Sequence, residues 1–245
     1  KNAVTKKPFL GFSDTTLNHF MLHKVGLPTF YGQAFLPDMC ELAPEMLPYT
    51  KRYFEEFLKT GTIREVRPSE LWYTSRTDFS PEALGTELPA HKNTGFELLQ
   101  GPAQFEGEIL GGCIDSMYEM FSGWRYGDMP EVCRNYGLFP SMDAWRGKIL
   151  LMESCEEYMP PETYKKALET LQETGVFDAV SGVLVGKPMD DMYHAEYKKL
   201  LVSIIANKEL PILCNINVGH AQPRCILPFG VPAHVDADAQ VIRFG

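Results

Sequence analysis

The segment Lys7–Gly26, KPFLGFSDTTLNHFMLHKVG, decides how the rest of this chain is interpreted. Its apolar start, Pro8–Leu10, predicts the end of a buried strand. Thr15–Val25 predicts a helix, which Gly26 ends in a left-handed cap. The sharp turn between the two carries Ser13. A serine at a strand-to-helix turn is the arrangement of a nucleophile elbow, which lifts the hydroxyl clear of the sheet.

The turn around Ser13 has two interpretations. As an elbow, it aims the backbone N–H of Asp14 at an oxyanion formed on a substrate, with the dipole of the following helix assisting. The usual G-x-S-x-G spelling is absent, because Thr15 stands in place of the second glycine. Since a serine that merely caps the helix fits the same local pattern, the segment alone leaves both interpretations open.

Length and composition narrow the class of protein. With 245 residues, 44% hydrophobic and 12% aromatic, the chain can form one large domain or two modest ones. The net charge of −9 argues against a broad surface for nucleic acid or anionic membrane. No apolar run has the length of a membrane span, and the first residues, KNAVTKK, lack the apolar region of a signal peptide. We therefore expect a soluble cytoplasmic protein with no nucleic-acid or membrane partner.

The six cysteines are dispersed, without a C-x-x-C pair or a zinc-binding spacing. They are Cys40, Cys113, Cys133, Cys155, Cys214 and Cys225. We expect buried free thiols. A nucleophilic cysteine is the alternative, although none lies at a turn like that of Ser13.

Strand and helix patterns alternate along the chain, which predicts the α/β class. The predicted strands are Thr29–Tyr31, Thr62–Val66, Gln104–Leu110, Ile149–Met152, Ala179–Val185 and Ile212–Ile216, followed by a strand-rich tail over Cys225–Phe244. The predicted helices after the elbow are Leu47–Leu58, Ile114–Phe121, Pro161–Thr174 and Tyr193–Ala206.

Composition divides the chain into three segments. Residues 1–66 carry the elbow and are expected to be the remainder of an N-terminal domain. Residues 67–101, rich in Pro, Ser, Thr and Gly, predict a linker or an active-site loop. Residues 102–245 predict a C-terminal domain. Aromatic residues in the middle segment, such as Trp72, either anchor that loop or stack on a planar substrate group.

Two polar residues follow buried strands and are candidates to act with Ser13. Glu153 ends the apolar strand Ile149–Met152, and His220 lies in a glycine-preceded turn after Ile212–Ile216. Active groups of α/β proteins gather at the carboxyl ends of strands. The three residues therefore suggest acyl transfer, in which His220 takes the Ser13 proton and Glu153 holds and stabilises the imidazole.

Each candidate also has a simpler interpretation. Glu153 could belong to a solvated acidic rim with Glu156 and Glu157, and His220 could only hydrogen-bond within its turn. A metal site is a further alternative, since His19 and His23 are four residues apart on the elbow helix. The metalloprotease glutamate is missing there, and no third ligand is evident, so no metal is expected.

Four stretches resemble signature blocks of the LD-carboxypeptidase family of serine peptidases, in the same order along the chain. They are GFSDTT at 11–16, EGEILGGC at 106–113, KILLMESCEE at 148–157 and NVGHAQPRCILPFG at 217–230. The resemblance implies Ser13 as nucleophile, Glu153 as acid, His220 as base and the backbone N–H of Asp14 as half of the oxyanion hole. It also implies a homodimer and no cofactor.

The same resemblance implies a fold and a choice of substrates. The expected fold is a partial flavodoxin-like N-terminal domain and a smaller α/β C-terminal domain, with the active site in the cleft between them. The family includes murein tetrapeptide LD-carboxypeptidases and microcin C self-immunity peptidases, which cut an aminoacyl-nucleotide analogue. Residues 69–101 look closer to the immunity branch, where Trp72 would suit stacking on a base. A catalytically inactive module that binds a small peptide or nucleotide is the rival from another class.

This chain departs from the family before the elbow. Members carry about a further half-domain there, including a Gly-rich turn that supplies the other oxyanion N–H. A missing oxyanion donor typically costs about 100- to 1000-fold in turnover. We therefore expect these 245 residues to be a fragment that a separate N-terminal piece completes.

Overall fold

The computed structural model describes residues 7–245. The first six residues lie outside the described part, and with them most of the KNAVTKK segment and the start of the predicted segment 1–66. The helices are α1 (Thr16–Lys24), α2 (Pro48–Thr60), α3 (Ile114–Ser122), α4 (Met129–Tyr136), α5 (Met142–Trp145), α6 (Pro161–Glu173), α7 (Val176–Ala179) and α8 (His194–Ile204).

The strands between residues 7 and 245 form three sheets. They are β1 (Leu10–Gly11), β2 (Thr29–Tyr31), β3 (Glu65–Val66), β4 (Leu71–Tyr73), β5 (Ala90–Lys92), β6 (Glu97–Gln100), β7 (Gln104–Cys113), β8 (Ile149–Glu153), β9 (Gly182–Gly186), β10 (Ile212–Ile216), β11 (Leu227–Phe229), β12 (Pro232–Asp236) and β13 (Val241–Phe244). The large sheet has the order β3-β13-β12-β7-β8-β9-β10-β6, the small sheet β1-β2-β11, and β4 pairs with β5 alone.

The centre of the large sheet is parallel, and three of its four strands are fully buried. Strands β7 to β10 pair in parallel, and every residue of β8, β9 and β10 is buried. Strands covered on both faces read as continuous apolar runs, which is why ILLM at 149–152 and VLV at 183–185 are uninterrupted. Helix α6 buries the stripe Tyr164, Ala167, Leu168 and Leu171 and contacts both α3 and α8. The carboxyl ends of all four parallel strands therefore meet at one edge.

The small sheet ties the start of the described chain to its end. Strand β1 pairs in parallel with β2, and β2 pairs antiparallel with β11, so that Leu10 faces Phe30 and Leu227 faces Tyr31 in the register. Helix α1 contacts β7 of the large sheet. The elbow before α1 is thus held against the sheet edge that carries the ends of β7 and β8.

The α/β class predicted from the alternating pattern is confirmed. The elbow helix is shorter at both ends than Thr15–Val25, because residues 13–15 form a 3-10 turn and Gly26 has φ +71°. Segment 67–101 contains regular structure: strands β4 and β5 form an antiparallel pair, and β6 pairs with β10. Strand β3, from the predicted first segment, joins the same sheet through β13. The division into three segments stays a prediction.

The cysteines are free thiols, of which Cys40 alone is exposed. Between residues 7 and 245, no helix combines the length and the apolar character that crossing a bilayer requires.

Candidate active site

The elbow holds Ser13 in a strained backbone conformation. Ser13 has φ +63°, a value that non-glycine residues rarely adopt outside special turns. The neighbouring threonines hold the turn, because Thr15 Oγ1 donates to the carbonyl of Phe12 (2.8 Å) and Thr16 Oγ1 to that of Ser13 (2.7 Å). The hydroxyl of Ser13 is left to make a contact outside the helix, so the structure does not use Ser13 as a simple helix cap.

A buried histidine fixes the strand that enters the elbow. His19 Nε2 lies 3.1 Å from the carbonyl oxygen of Gly11, and its Nδ1 lies 2.7 Å from Thr29 Oγ1. Burial lowers the pKa of His19 to about 4, although the hydrogen bond to Gly11 opposes the shift. The neutral ring therefore donates from Nε2 and accepts at Nδ1. With both nitrogens engaged, His19 serves the packing of the elbow and has no nitrogen left for a metal shared with His23.

The structure brings Ser13, His220 and Glu153 together in one hydrogen-bonded series. His220 Nε2 lies 3.0 Å from Ser13 Oγ, and His220 Nδ1 lies 2.7 Å from Glu153 Oε2. The backbone N–H of His220 also donates to Glu153 Oε2 (3.2 Å). The Glu153 side chain is 0% exposed. The three side chains lie within the distances that proton transfer from a serine through a histidine to a carboxylate requires.

Two glycines allow Glu153 and His220 to approach each other. A Cβ on Gly219, which has φ +85°, would lie 2.4 Å from Cδ of Glu153. A Cβ on Gly186, at the end of β9, would lie 2.7 Å from Cβ of Glu153. Since real Cβ atoms do not come this close, only glycine fits at these two places without moving the carboxylate. The "glycine-preceded turn" seen in the sequence is therefore a packing requirement of Glu153.

Tyr31 is a fourth member of the site that the sequence analysis missed. Its hydroxyl donates to Glu153 Oε1 (2.6 Å) and accepts the backbone N–H of Ser13 (3.1 Å). Burial, followed by the nearby Glu153 charge, raises the pKa of Tyr31 well above its usual value, so the hydroxyl keeps its proton. The Tyr31 hydroxyl thus links the backbone of Ser13 to the carboxylate of Glu153. In the sequence it is indistinguishable from a core aromatic of an apolar strand.

Glu156, read in the sequence only as part of an acidic rim, lies on the other side of the imidazole. Its Oε2 is 2.9 Å from His220 Nε2, and its side chain is 61% exposed. The hydrogen bond with His220 is the main reason that the pKa of Glu156 falls to about 2. Burial disfavours the charged imidazolium, but Glu153 and then Glu156 outweigh it and raise the pKa of His220 to about 10.

A cavity of about 660 Å³ opens beside Ser13 and His220. Its wall is mainly apolar, with Phe12, Leu36, Pro37, Leu42, Phe79 and Met189 among the lining residues. Arg76 and Glu41 also line the cavity and form an ion pair of 2.6 Å, with each side chain 7% exposed. An apolar cavity with a few fixed polar groups is the usual form of a small-molecule site.

Two other predicted site residues, Trp72 and Asp14, do not have side chains in the hydrogen-bonded series of Ser13, His220 and Glu153. Trp72 is not among the residues that line this cavity, since its ring stacks on His91 at 4.1 Å with the Lys187 ammonium 4.7 Å away. Phe79, from the same segment, lines the wall instead. Asp14 follows Ser13 in the 3-10 turn, and its exposed carboxylate lies 3.8 Å from Arg125. Its backbone role in an oxyanion hole stays a prediction, as does a substrate contact by Trp72.

One side-chain cluster in the described part of the chain has the composition of a metal site. Ligand atoms of Cys113, Glu153 and His220 lie within 4.8 Å of one another. Burial raises the pKa of the Cys113 thiol well above its usual value, whereas a metal binds the thiolate. The facing atoms of Glu153 and His220 already share a proton at 2.7 Å, closer together than two ligands on one ion. The arrangement fits a proton relay better than a metal centre.

Comparison with known proteins identifies relatives over nearly the whole chain. Residues 106–235 match the model of the LD-carboxypeptidase C-terminal domain. The chain is 26% identical over 248 residues to the microcin C7 self-immunity protein MccF of Escherichia coli, covering 97% of this chain and 65% of that protein. It is 26% identical over 252 residues to a putative carboxypeptidase of Vibrio cholerae, covering 97% of this chain and 66% of the relative. The chain thus spans about two thirds of the length of these relatives.

Solved structures extend the comparison. An MccF-like protein from Streptococcus pneumoniae, solved in complex with AMP, is 59% identical with a TM-score of 0.96 and covers 98% of this chain and 69% of that one. An MccF-like protein from Bacillus anthracis shares the fold at 23% identity, with a TM-score of 0.74 over 98% of this chain and 68% of its own.

Proposed function

The chain belongs to the LD-carboxypeptidase family, and from that premise we propose that it is a serine hydrolase of the microcin-immunity type. It would cut the amide-like bond between an amino acid and a nucleotide analogue. The observation that carries the proposal is the hydrogen-bonded series from Ser13 Oγ through His220 to Glu153. Serine is otherwise a weak nucleophile and needs such an adjacent base.

The geometry supports a two-stage reaction. As Ser13 Oγ attacks the carbonyl carbon, Nε2 of His220 takes its proton, and Glu153 stabilises the imidazolium. The N–H of Asp14 is proposed to hold the oxyanion. Collapse of the tetrahedral intermediate breaks the C–N bond, and His220 returns the proton to the leaving nitrogen. A water molecule then attacks the acyl carbon as it loses a proton to His220, and His220 returns that proton to Ser13 Oγ when the bond between Oγ and the acyl carbon breaks.

The choice of a nucleotide-linked substrate has two supports. The 59% identical relative was solved with AMP. The cavity beside Ser13 is mainly apolar, and Phe79 in its wall offers an aromatic face to a purine. Trp72 remains a candidate for the same contact, provided that it leaves His91 when a ligand binds.

The test is hydrolysis of an aminoacyl sulfamoyl adenosine by the protein and by its Ser13→Ala variant. We expect the wild type to release the free amino acid and the variant to lose at least about 1000-fold in kcat. Release at equal rates by both would overturn the proposal, and so would no release by the wild type.

A murein tetrapeptide carboxypeptidase is the second candidate, because several relatives bear carboxypeptidase names. In the same experiment a tetrapeptide substrate would then release D-alanine in preference to the adenosine compound. An inactive binding module would instead bind AMP and hydrolyse neither compound.

The assembly is proposed on the family resemblance, and the location on the expectation from the sequence stated above. We propose a homodimer that acts in the cytoplasm. Sedimentation at micromolar concentration tests the first statement, and fractionation of cells tests the second. A monomer, or recovery outside the cytoplasmic fraction, contradicts the respective statement.

A further inference from the structure

Nε2 of His220 has two competing partners. Ser13 Oγ lies 3.0 Å from this nitrogen and Glu156 Oε2 lies 2.9 Å from it. A ring nitrogen carries at most one proton, and the proposed reaction needs that nitrogen free of a proton to accept one from Ser13. A carboxylate held on Nε2 favours the protonated ring. Glu156 therefore opposes the first step for as long as it stays there.

Glu156 differs from Glu41, which also lines the cavity, and from its sequence neighbour Glu157. Glu41 is buried against Arg76 at 2.6 Å, and Glu157 is paired with Arg125 at 2.7 Å. In the described part of the chain the ion pair of Glu156 is with His220 alone. When His220 becomes neutral for catalysis, Glu156 loses its ion-pair partner, because Arg125, whose charge also lowers the pKa of Glu156, is paired with Glu157. A site of that kind attracts a cationic group of the substrate.

We propose that Glu156 binds the α-ammonium group of the acyl residue, and that the same carboxylate occupies Nε2 of His220 when no such ligand is bound. This inference rests on the proposed function and assigns Glu156 to the amine of its aminoacyl substrate. The substrate would be an acyl donor with a free α-amine. An internal residue of a peptide, whose amine is tied in an amide, would lack this contact.

The distances select the α-ammonium over a side-chain cation. Glu156 Oε2 and Ser13 Oγ both contact Nε2 of His220, at 2.9 Å and 3.0 Å. The distance between these two oxygens therefore cannot exceed the sum of the two contacts. The α-nitrogen is two bonds from the carbonyl carbon that Ser13 attacks, so it falls within reach of Glu156 Oε2. A lysine-type ammonium lies several bonds farther out. The carboxylate is therefore placed for the group nearest to the scissile bond.

The charged groups around His220 make Glu156 the one that can move. Glu153 is enclosed beneath the ring. Arg224 donates to the backbone carbonyl of His220, but its charge is neutralised by Asp38 at 2.8 Å, with both side chains 4% exposed or less. Only Glu156 is exposed and on a turn after β8. When the Glu156 carboxylate moves to a substrate ammonium, Nε2 of His220 keeps Ser13 as its partner. Binding of the correct substrate therefore leaves His220 able to accept the Ser13 proton.

The experiment compares Glu156→Gln with the matched variant Glu157→Gln, which removes the neighbouring negative charge. The probes are leucyl sulfamoyl adenosine and its des-amino analogue, the 4-methylpentanoyl compound. For Glu156→Gln we expect kcat/KM to fall about tenfold on the leucyl compound and to rise on the des-amino compound, since the base is freed. Glu157→Gln should change neither by more than about twofold. Equal changes on both compounds, or the same pattern in Glu157→Gln, would overturn the inference.

A second measurement separates this inference from the proposed function, because it needs no turnover. A fluorophosphonate reacts with Ser13 only when His220 can accept the proton. We expect Glu156→Gln to shift the pH dependence of labelling toward lower pH, and leucyl sulfamoyl adenosine to protect Ser13 more than its des-amino analogue does. If neither compound is hydrolysed but these results hold, the proposed function fails and the inference stands. An unshifted profile or equal protection overturns the inference.

Discussion

His220 divides the candidate active site into an enclosed side and an open side. On the Nδ1 side, Glu153 is fully buried and accepts from the His220 ring, the His220 backbone and Tyr31. On the Nε2 side lie the strained Ser13 and the exposed Glu156. A buried carboxylate is tolerated only when donors compensate for its lost hydration, and here three do so. The enclosed side fixes geometry, while the open side is free to respond to a ligand.

The difference also shows which changes the site can tolerate. Any change on the enclosed side leaves a buried charge or a buried donor without a partner, which costs about 1–3 kcal/mol for each group. Changes on the open side expose groups to water, which replaces the lost contacts. A substitution on the enclosed side should therefore lower both activity and stability. A substitution on the open side should change activity with little loss of stability.

We expect the largest effect from removing the buried charge of Glu153 on the enclosed side. Glu153→Gln keeps the shape but no longer stabilises the imidazolium, and its amide can donate toward Nδ1 and favour the wrong tautomer. We expect kcat to fall by about 10⁴-fold, measured with saturating substrate. Glu156→Gln is the matched change on the open side. Equal losses in the two variants would remove the distinction between the sides.

Gly219→Ala tests whether packing sets the position of Glu153. The added methyl would meet Cδ of Glu153 at 2.4 Å. We expect kcat to fall about 1000-fold and unfolding free energy to fall by about 3 kcal/mol, measured by urea denaturation. Gly61→Ala is the control, since Gly61 has a similar φ of +72° but no atom near the new methyl. It should lose about 1 kcal/mol and no activity. Full activity in Gly219→Ala would show that the enclosed side is not tightly packed.

The pH dependence sharpens the comparison, because the two sides together raise the pKa of His220 to about 10. On the des-amino compound, kcat/KM should rise about tenfold per pH unit from pH 7 toward 10, as the base loses its proton. The stabilisation from the charged ring runs the opposite way: it is complete below pH 6.5 and is lost as the pH rises through about 10. Thermal unfolding measured at each pH checks this second trend. A rate that is flat above pH 7, with unchanged stability, would contradict the assignment.

Tyr31→Phe should have the smallest effect. It removes a donor to Glu153 Oε1 and the acceptor of the Ser13 N–H, while both glycines and His220 still hold the carboxylate. We expect kcat to fall about fivefold to tenfold and unfolding free energy to fall by about 2 kcal/mol. Tyr49→Phe, which loses a 2.7 Å hydrogen bond to the Arg67 carbonyl, should lower stability alone. Equal loss of activity in both variants would remove Tyr31 from the site.

The parts predictable from the sequence are those in which a polar residue interrupts an apolar pattern. Glu153 and His220 stand out because nothing in the packing of a buried strand calls for them, and Ser13 stands out through its turn. Tyr31 could not be predicted, since its partner Glu153 is 122 residues away and the short strand Thr29–Tyr31 gives no local sign of a polar role for its tyrosine. Glu156 could not be separated from Glu157, because only the fold decides which carboxylate meets a histidine and which meets Arg125.

The elements missed in the sequence share a physical cause. Strands β4, β5 and β6 are three or four residues long and pair with distant or hairpin partners, so they show no periodic pattern. Helix α4 lies between Gly127 and Gly137 and buries Cys133 alone. Short elements whose stability comes from tertiary contacts leave little local signal. The parallel strands β8, β9 and β10, which are buried along their whole length, leave a strong signal.

The relay itself is tested most directly by covalent labelling. The wild type, Ser13→Ala and His220→Ala are incubated with a fluorophosphonate, and the adduct is located by peptide mass mapping. The account predicts one adduct on Ser13, formed at least about 1000-fold more slowly in His220→Ala and not at all in Ser13→Ala. An adduct at another residue, or labelling of Ser13 at the same rate without His220, would contradict it.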